Sequence, residues 1–132
     1  WFGIKAVFAE KDTVDVFNPK VVQATMGAVF RVKMHYVDLK VSARAILSKG
    51  GKVYGTFLVG RNIYDRELDN GVTNPSMIVI GNESDGISAP MSSLVSDRLY
   101  IPPYPAGQPG SESLNAVVAT ALAVAEFRRR IL

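Results

Sequence analysis

Apolar runs of strand length alternate with amphipathic stretches of helix length along this chain, and that alternation restricts the fold more than any other feature. Ile4-Lys5-Ala6-Val7-Phe8-Ala9 reads as a strand, and Asn18-Pro19 then supplies an N-cap residue with proline at the first helical position. Val22, Thr25, Met26 and Val29 follow helical spacing, with Gly27 inside the pattern as a point of close packing. From Phe30 the period changes to two: Phe30, Val32, Met34 and Tyr36 alternate with Arg31, Lys33 and His35, the pattern of a strand with one buried face. Asp38 can cap a helix over Leu39 to Ser48, which Gly50-Gly51 ends.

The second half repeats the alternation. Val53 to Val59 reads as a strand ending at Gly60, and Met77 to Ile80 as another ending at Gly81. Pro90 fits the first turn of a helix reaching about Val95, and Arg98 to Ile101 is a strand halted by Pro102-Pro103. A last helix is marked by Leu114, Val117, Val118, Ala121, Leu122 and Ala125. Strands separated by helices predict an α/β fold: a mainly parallel sheet with helices on both faces, whose ligands sit beyond the carboxyl ends of strands. Gly60, Gly81 and Pro102 mark three such ends.

Composition excludes several chemistries. The 132 residues suit one domain, and 48% hydrophobic content is that of a globular chain. There is no cysteine and only His35 as an imidazole, so neither thiol chemistry nor a zinc site is expected, and no metal is assigned. No apolar run approaches the roughly 20 residues of a spanning helix, and the first residues lack a signal-peptide layout. A soluble, cytoplasmic protein with no membrane partner is the expectation. A net charge of +3 permits a polyanionic partner without requiring one.

The stretch Met77 to Ser88, "MIVIGNESDGIS", carries the most chemistry. Glycine-rich turns after strands often cradle phosphate through backbone N–H groups, yet Glu83 and Asp85 in this turn would repel one. Neither G-x-G-x-x-G nor G-x-x-x-x-G-K-S/T occurs, so the dinucleotide and P-loop readings lack their fingerprints. His35 lies on the polar face of an expected strand without an elbow serine nearby, which makes it a surface side chain rather than a triad member. Glu83 and Asp85 fit either a general acid/base pair or ordinary solvated turn-formers.

Three segments taken together, "DVFNPKVVQATMGAVFRV", "IVIGNESDGIS" and "IP…SLNAVVATALAVAEFRRR", resemble the SpoU-type (TrmH family) RNA ribose 2′-O-methyltransferases across the whole chain and in the family's order. The resemblance implies a parallel α/β sheet with a C-terminal trefoil knot, and S-adenosylmethionine as cofactor. Gly60, Gly81, Asn82, Ile101 and Leu114 would bind the cofactor, the two glycines by letting main chain approach the adenosyl group. Glu83 would orient groups at the catalytic centre, with Ser113 and Asn115 beside it at a helix start. Each of the last two could also merely cap that helix. Ser84 stands where the family commonly has glycine.

RNA, either tRNA or rRNA, is the implied substrate, with Arg31, Arg61 and Arg66 as contacts and Lys33 and Arg128-Arg129-Arg130 as further cations. The arginine run equally suits the negative end of a helix dipole. Family members pair as homodimers through the last helix, whose small residues Ala116, Ala119, Thr120 and Ala123 would let a second copy approach closely. The same face could instead pack on the chain's own sheet. The family's arginine motif, N-x-G-x-x-x-R, would precede the segment matching Trp1-Phe2-Gly3, so the chain matches a family domain without its first strand and helix. The alternative reading is a catalytically incomplete module that binds S-adenosylmethionine and RNA.

Overall fold

The computed structural model describes residues 1–64, 74–105 and 113–131, which group into two compact units, residues 1–42 and 43–132. All strand pairs in named strands are parallel, as the alternation of elements predicts.

In the first unit, β1 (Ala6–Ala9) pairs with β2 (Lys33–Tyr36) in the register Ala6 to Lys33 through Ala9 to Tyr36. The crossover contains α1 (Pro19–Ala24), capped by Asn18, whose Oδ1 accepts from Lys20 N at 3.0 Å. Tyr36 fastens the preceding loop: its hydroxyl donates to Val14 O at 2.8 Å and accepts from Val16 N at 2.7 Å. The helical spacing through Val29 does not become helix. Met26 and Gly27 take positive φ, 50° and 81°, which breaks the i to i−4 ladder, and Ala28–Phe30 continue as one 3₁₀ turn. Gly27 is thus a helix terminator rather than a packing site. The same break delays the strand: Phe30 is 74% exposed and, like Val32, lies outside β2, while Val32, Met34 and Tyr36 keep the half-buried face that the alternation predicts. His35 is a surface side chain, stacked on Phe8 at 5.2 Å.

The helix α2 (Leu39–Ser48) begins where Asp38 predicts. Asp38 Oδ1 accepts from Lys40 N at 2.8 Å, and Glu10 Oε1 accepts from Leu39 N at 3.3 Å. The Lys40 side chain hydrogen-bonded to Asp38 holds that carboxyl below the usual aspartate range. Gly50, at φ 74°, ends the helix.

In the second unit the strand order is β4 (Ser76–Val79), β3 (Lys52–Asn62), β5 (Asp97–Tyr100), with β3 central. β3 does not stop at Gly60. Thr56 and Arg61 both register with Leu99, so residues 57–60 bulge out of the ladder before Arg61 and Asn62 pair again. Val53 and Tyr54 are both fully buried, and because neighbouring strand residues point to opposite faces, both faces of the sheet are covered.

One face meets α4 (Ala116–Arg129): Tyr54, Ile63, Leu99, Ala123 and Phe127 form the core, with the Tyr54 and Phe127 rings edge to face at 4.8 Å. On the other face, a Cβ at Gly55 would lie 3.1 Å from both Ile87 and Val95. The helix opened by Pro90, α3 (Ala89–Ser92), is shorter than expected, because Leu94 and Val95 donate to carbonyls three residues back and Ser96 N then turns to Val53 O at 2.7 Å.

The last helix turns a different face inward from the one its large apolar residues mark. Val117 and Leu122 are 74% and 38% exposed, while Ala123, Glu126 and Phe127 are buried. Ala123 presents no bulk and Phe127 fills the space above Tyr54, so the small-residue face packs on the chain's own sheet. Buried Glu126 receives Arg129 Nη2 at 2.7 Å and Arg130 Nη2 at 2.8 Å, and Arg130 also donates to Ile63 O at 3.0 Å. The trefoil threading implied by the family resemblance involves residues 106–112, which lie outside the described residues.

Candidate functional site

Because β3, β4 and β5 run parallel, their carboxyl ends open on one edge of the sheet, where ligands of open α/β folds bind. The segment after β4 closes on itself there. Asn82 and Gly86 exchange backbone hydrogen bonds, each at 3.1 Å, and Asn82 Oδ1 accepts from Ser84 N at 3.0 Å and from Asp85 N at 2.6 Å. The asparagine therefore folds the turn from inside, as Asx turns do. Gly86 supplies the left-handed residue at φ 68°, while Ser84 needs no positive φ, so serine in place of glycine leaves the turn unstrained.

The two glycines expected to admit the adenosyl group have other reasons to be glycine. A Cβ at Gly81 would meet the carbonyl carbon of Gly86 and lie 2.6 Å from Ile87 N, so the loop's own return fills that space. A Cβ at Gly60 would strike the carbonyl of Arg98 in β5. Loop closure and sheet packing, respectively, exclude a side chain at each.

Across from the loop, Asn115 caps α4, its Oδ1 accepting from Val117 N at 2.9 Å. Its Nδ2 donates to Glu83 Oε1 at 3.0 Å. One side chain thereby fastens the turn after β4 to the start of α4. Glu83 is positioned by Asn115, and the Asp85 carboxylate lies 3.2 Å from Ser84 Oγ and 3.5 Å from Asn82 Nδ2. The two acids thus belong to separate hydrogen-bond sets rather than to one shared pair. Ser113 is exposed two residues before the cap, Leu114 is 49% exposed, and Ile101 is half-buried against the core.

Of the expected RNA contacts, Arg31 is exposed in the first unit, Arg61 lies 4.0 Å from Asp97, and Arg66 lies outside the described residues. Two members of the arginine run are held by one carboxylate, with the Arg129 side chain still 67% exposed. Arg129 and Arg130 both serve Glu126, whose carboxyl is held below the usual glutamate range chiefly by the Arg129 hydrogen bond. Sequence reasoning passed over Leu58 and Val59, 69% and 80% exposed in the β3 bulge, because an apolar pair in a strand reads as buried. It also passed over Arg98, whose guanidinium sits 3.9 Å from the centre of the Phe57 ring. Gly60, a strand residue that tolerates no Cβ, was the one signal of a bulge.

The chain is 32% identical over 126 residues to the Bacillus subtilis 23S rRNA (guanosine(2553)-2′-O)-methyltransferase RlmP, covering 96% of this chain and 48% of that protein. A TrmH-family structure from Porphyromonas gingivalis superposes with a TM-score of 0.83 at 39% identity, covering 98% of this chain and 51% of the other. An S-adenosylmethionine-bound rRNA methyltransferase from Sinorhizobium meliloti gives a TM-score of 0.83 at 27% identity, covering 99% and 48%. The chain spans about half the length of these relatives. The model of the SpoU rRNA Methylase family matches residues 1–125, and the chain belongs to that family.

Proposed function

We propose that residues 1–132 form the methyltransferase domain of an S-adenosylmethionine-dependent enzyme that methylates a ribose 2′-hydroxyl in rRNA or tRNA. The observation that carries this reading is the Asn115 to Glu83 hydrogen bond, which ties the turn after β4 to the start of α4 at the carboxyl edge of the parallel strands. Relatives support the chemistry: the B. subtilis protein is a 2′-O-methyltransferase of 23S rRNA, and the S. meliloti structure holds S-adenosylmethionine.

The residues present fit such a cofactor. Exposed Leu58, Val59 and Leu114 offer apolar surface to an adenine, and the carboxylates of Glu83 and Asp85 favour a sulfonium cation where they would repel a phosphate. Main chain at Gly60, Gly81, Asn82, Ile101 and Leu114 would hold the adenosyl group. When bound, the cofactor supplies an electrophilic methyl group. Glu83, Ser113 and Asn115 then align the ribose for in-line attack, with Glu83 held in one orientation by Asn115. Arg31, Arg61 and Arg66 would contact phosphates of the RNA.

A homodimer and a cytoplasmic location complete the proposal. The exposed stripe of Val117, Val118 and Leu122 on α4 provides the apolar face for a second copy, replacing the small-residue face that the sheet already occupies. No helix among the described residues is long and apolar enough to cross a membrane.

Calorimetry on the full-length protein tests the reading at its base. Uptake of S-adenosylmethionine or its demethylated product at micromolar to millimolar concentration is expected. Folded protein that takes up neither would overturn the cofactor assignment, and uptake without methyl transfer to RNA would leave a binding module of the same fold.

A further inference from the structure

Residues 16–37 contain Lys20, Arg31, Lys33 and His35 and no carboxylate, although the chain as a whole carries 12 acids. In the middle of this stretch the backbone makes a knuckle. α1 ends at Ala24, Met26 and Gly27 follow with φ of 50° and 81°, and the 3₁₀ turn Ala28–Phe30 leads to Arg31.

Met26 is the only non-glycine residue at positive φ among the described residues, and left-handed backbone is uncommon for a side chain of this size. Packing does not offset the strain: Met26 is 94% exposed. Phe30, 74% exposed, has its ring edge 4.0 Å from where a Cβ of Gly27 would stand, so the knuckle presents an aromatic ring at the surface and, one residue before Gly27, an exposed thioether. Arg31 and Lys33, both exposed, follow at once.

Strained backbone tends to persist where function requires the conformation. Exposed aromatic and polarisable side chains flanked by cations are what unstacked nucleobases and their phosphates require. The stretch from 16 to 37, with Lys20, Arg31 and Lys33 and no carboxylate, favours a polyanionic partner. We propose that the Met26–Phe30 knuckle is a nucleobase-docking element: Phe30 and Met26 receive an unstacked base of the RNA substrate while Arg31 and Lys33 hold the adjoining phosphates. This rests on the RNA-methyltransferase reading above and names the part of the first unit that grips the substrate.

Binding of the full-length protein to unfractionated rRNA and tRNA, measured by fluorescence anisotropy over a range of salt, tests the proposal. Phe30→Ala is expected to weaken binding about tenfold at every salt concentration, since stacking carries no counterion release, and Phe30→Trp to retain it. Arg31→Ala should weaken binding and make the salt dependence shallower by about one unit of slope. Met26→Gly should raise the melting temperature, because glycine adopts this φ freely, and yet weaken RNA binding. A packing role for Met26 does not give that pair of opposite effects.

Several results would overturn the docking role. Phe30→Ala and Met26→Gly binding within twofold of the unaltered protein while Arg31→Ala weakens it would remove the knuckle and leave the RNA reading standing. A change of mass by light scattering in Phe30→Ala, with RNA affinity kept, would make the patch a protein interface. Unaltered protein that takes up S-adenosylmethionine but no RNA at low salt would overturn the substrate reading along with the docking role. Calorimetry with S-adenosylmethionine monitors folding of each variant, and if Phe30→Ala fails to fold, the opposed effects of Met26→Gly decide.

Discussion

Asn115 donates from Nδ2 to Glu83 Oε1 at 3.0 Å while its Oδ1 accepts from the backbone N–H of Val117, so a single amide caps α4 and fixes a carboxylate 32 residues earlier in the chain. Neither aspartate nor serine could do both. Aspartate has no donor for Glu83, and the short serine hydroxyl reaches only the helix.

These two roles separate by substitution. Asn115→Asp keeps the cap but sets a second carboxylate against Glu83, and methyl transfer is expected to fall at least about tenfold with little change in melting temperature. Asn115→Ala should lose the activity and about 1 kcal/mol of stability besides. Thermal melts with methyl-transfer rates on both variants check this, and wild-type rates from Asn115→Asp would remove Glu83 orientation from the mechanism.

The turn after β4 gives a contrasting pair. Gly81→Ala places a Cβ against the backbone of Gly86 and 2.6 Å from Ile87 N, so the loop must open and S-adenosylmethionine affinity should drop at least about tenfold. Ser84→Gly should leave affinity within about twofold, because Ser84 has no positive φ to relieve. Calorimetric titration of both variants decides, and an unchanged affinity in Gly81→Ala would contradict the role given to the loop.

Stability should depend on pH through Glu126. Its folded-state carboxyl is held below the ordinary 4.5, first by the Arg129 hydrogen bond and then by the charges of Arg129 and Arg130, against the opposing effect of burial. A depressed carboxylate contributes stability above its ordinary value and loses it as pH falls through the folded-state value. Glu126→Gln should therefore cost on the order of 3 kcal/mol at pH 7, with Arg130 left partly unpaired beside Ile63, and the cost should shrink at an acid pH well below the ordinary 4.5, where the carboxylate is protonated in the folded state too. Denaturant unfolding at the two pH values measures it. A difference that does not vary with pH would mean the carboxylate charge is not what α4 uses.

The exposed apolar stripe on α4 predicts the oligomeric state. Val117 is 74% exposed, so Val117→Glu should leave the fold intact and convert a dimer into a monomer. Light scattering at micromolar concentration reads the mass directly. Monomeric unaltered protein would contradict the dimer proposal.

Elements whose ends carry chemical punctuation were legible in the sequence. Asn18-Pro19 opened α1, Asp38 opened α2, Gly50 closed it, and the strand-to-glycine transition before Gly81 marked the loop that holds Glu83. Periodicity failed where two patterns shared the same residues. α4 has one face of large apolar residues and another of small ones, and hydropathy favours the first, yet close packing on β3 and β5 takes Ala123 and Phe127 inward and leaves Val117 outside. At Met26 the apolar spacing ran on through a backbone reversal that no propensity for methionine would suggest. The bonding of Asn115 to Glu83 was invisible for a different reason: local spacing carries no information about a contact between residues so far apart in the chain.

Transfer of a methyl group to a ribose 2′-hydroxyl is read most directly from its product. Full-length protein is incubated with methyl-labelled S-adenosylmethionine and unmodified rRNA or tRNA transcripts, and the RNA is digested to nucleosides for mass spectrometry. Label is expected only in 2′-O-methyl nucleosides, with the yield sharply reduced in Asn115→Asp. Label on a base, or none at all from folded protein that binds the cofactor, would contradict it.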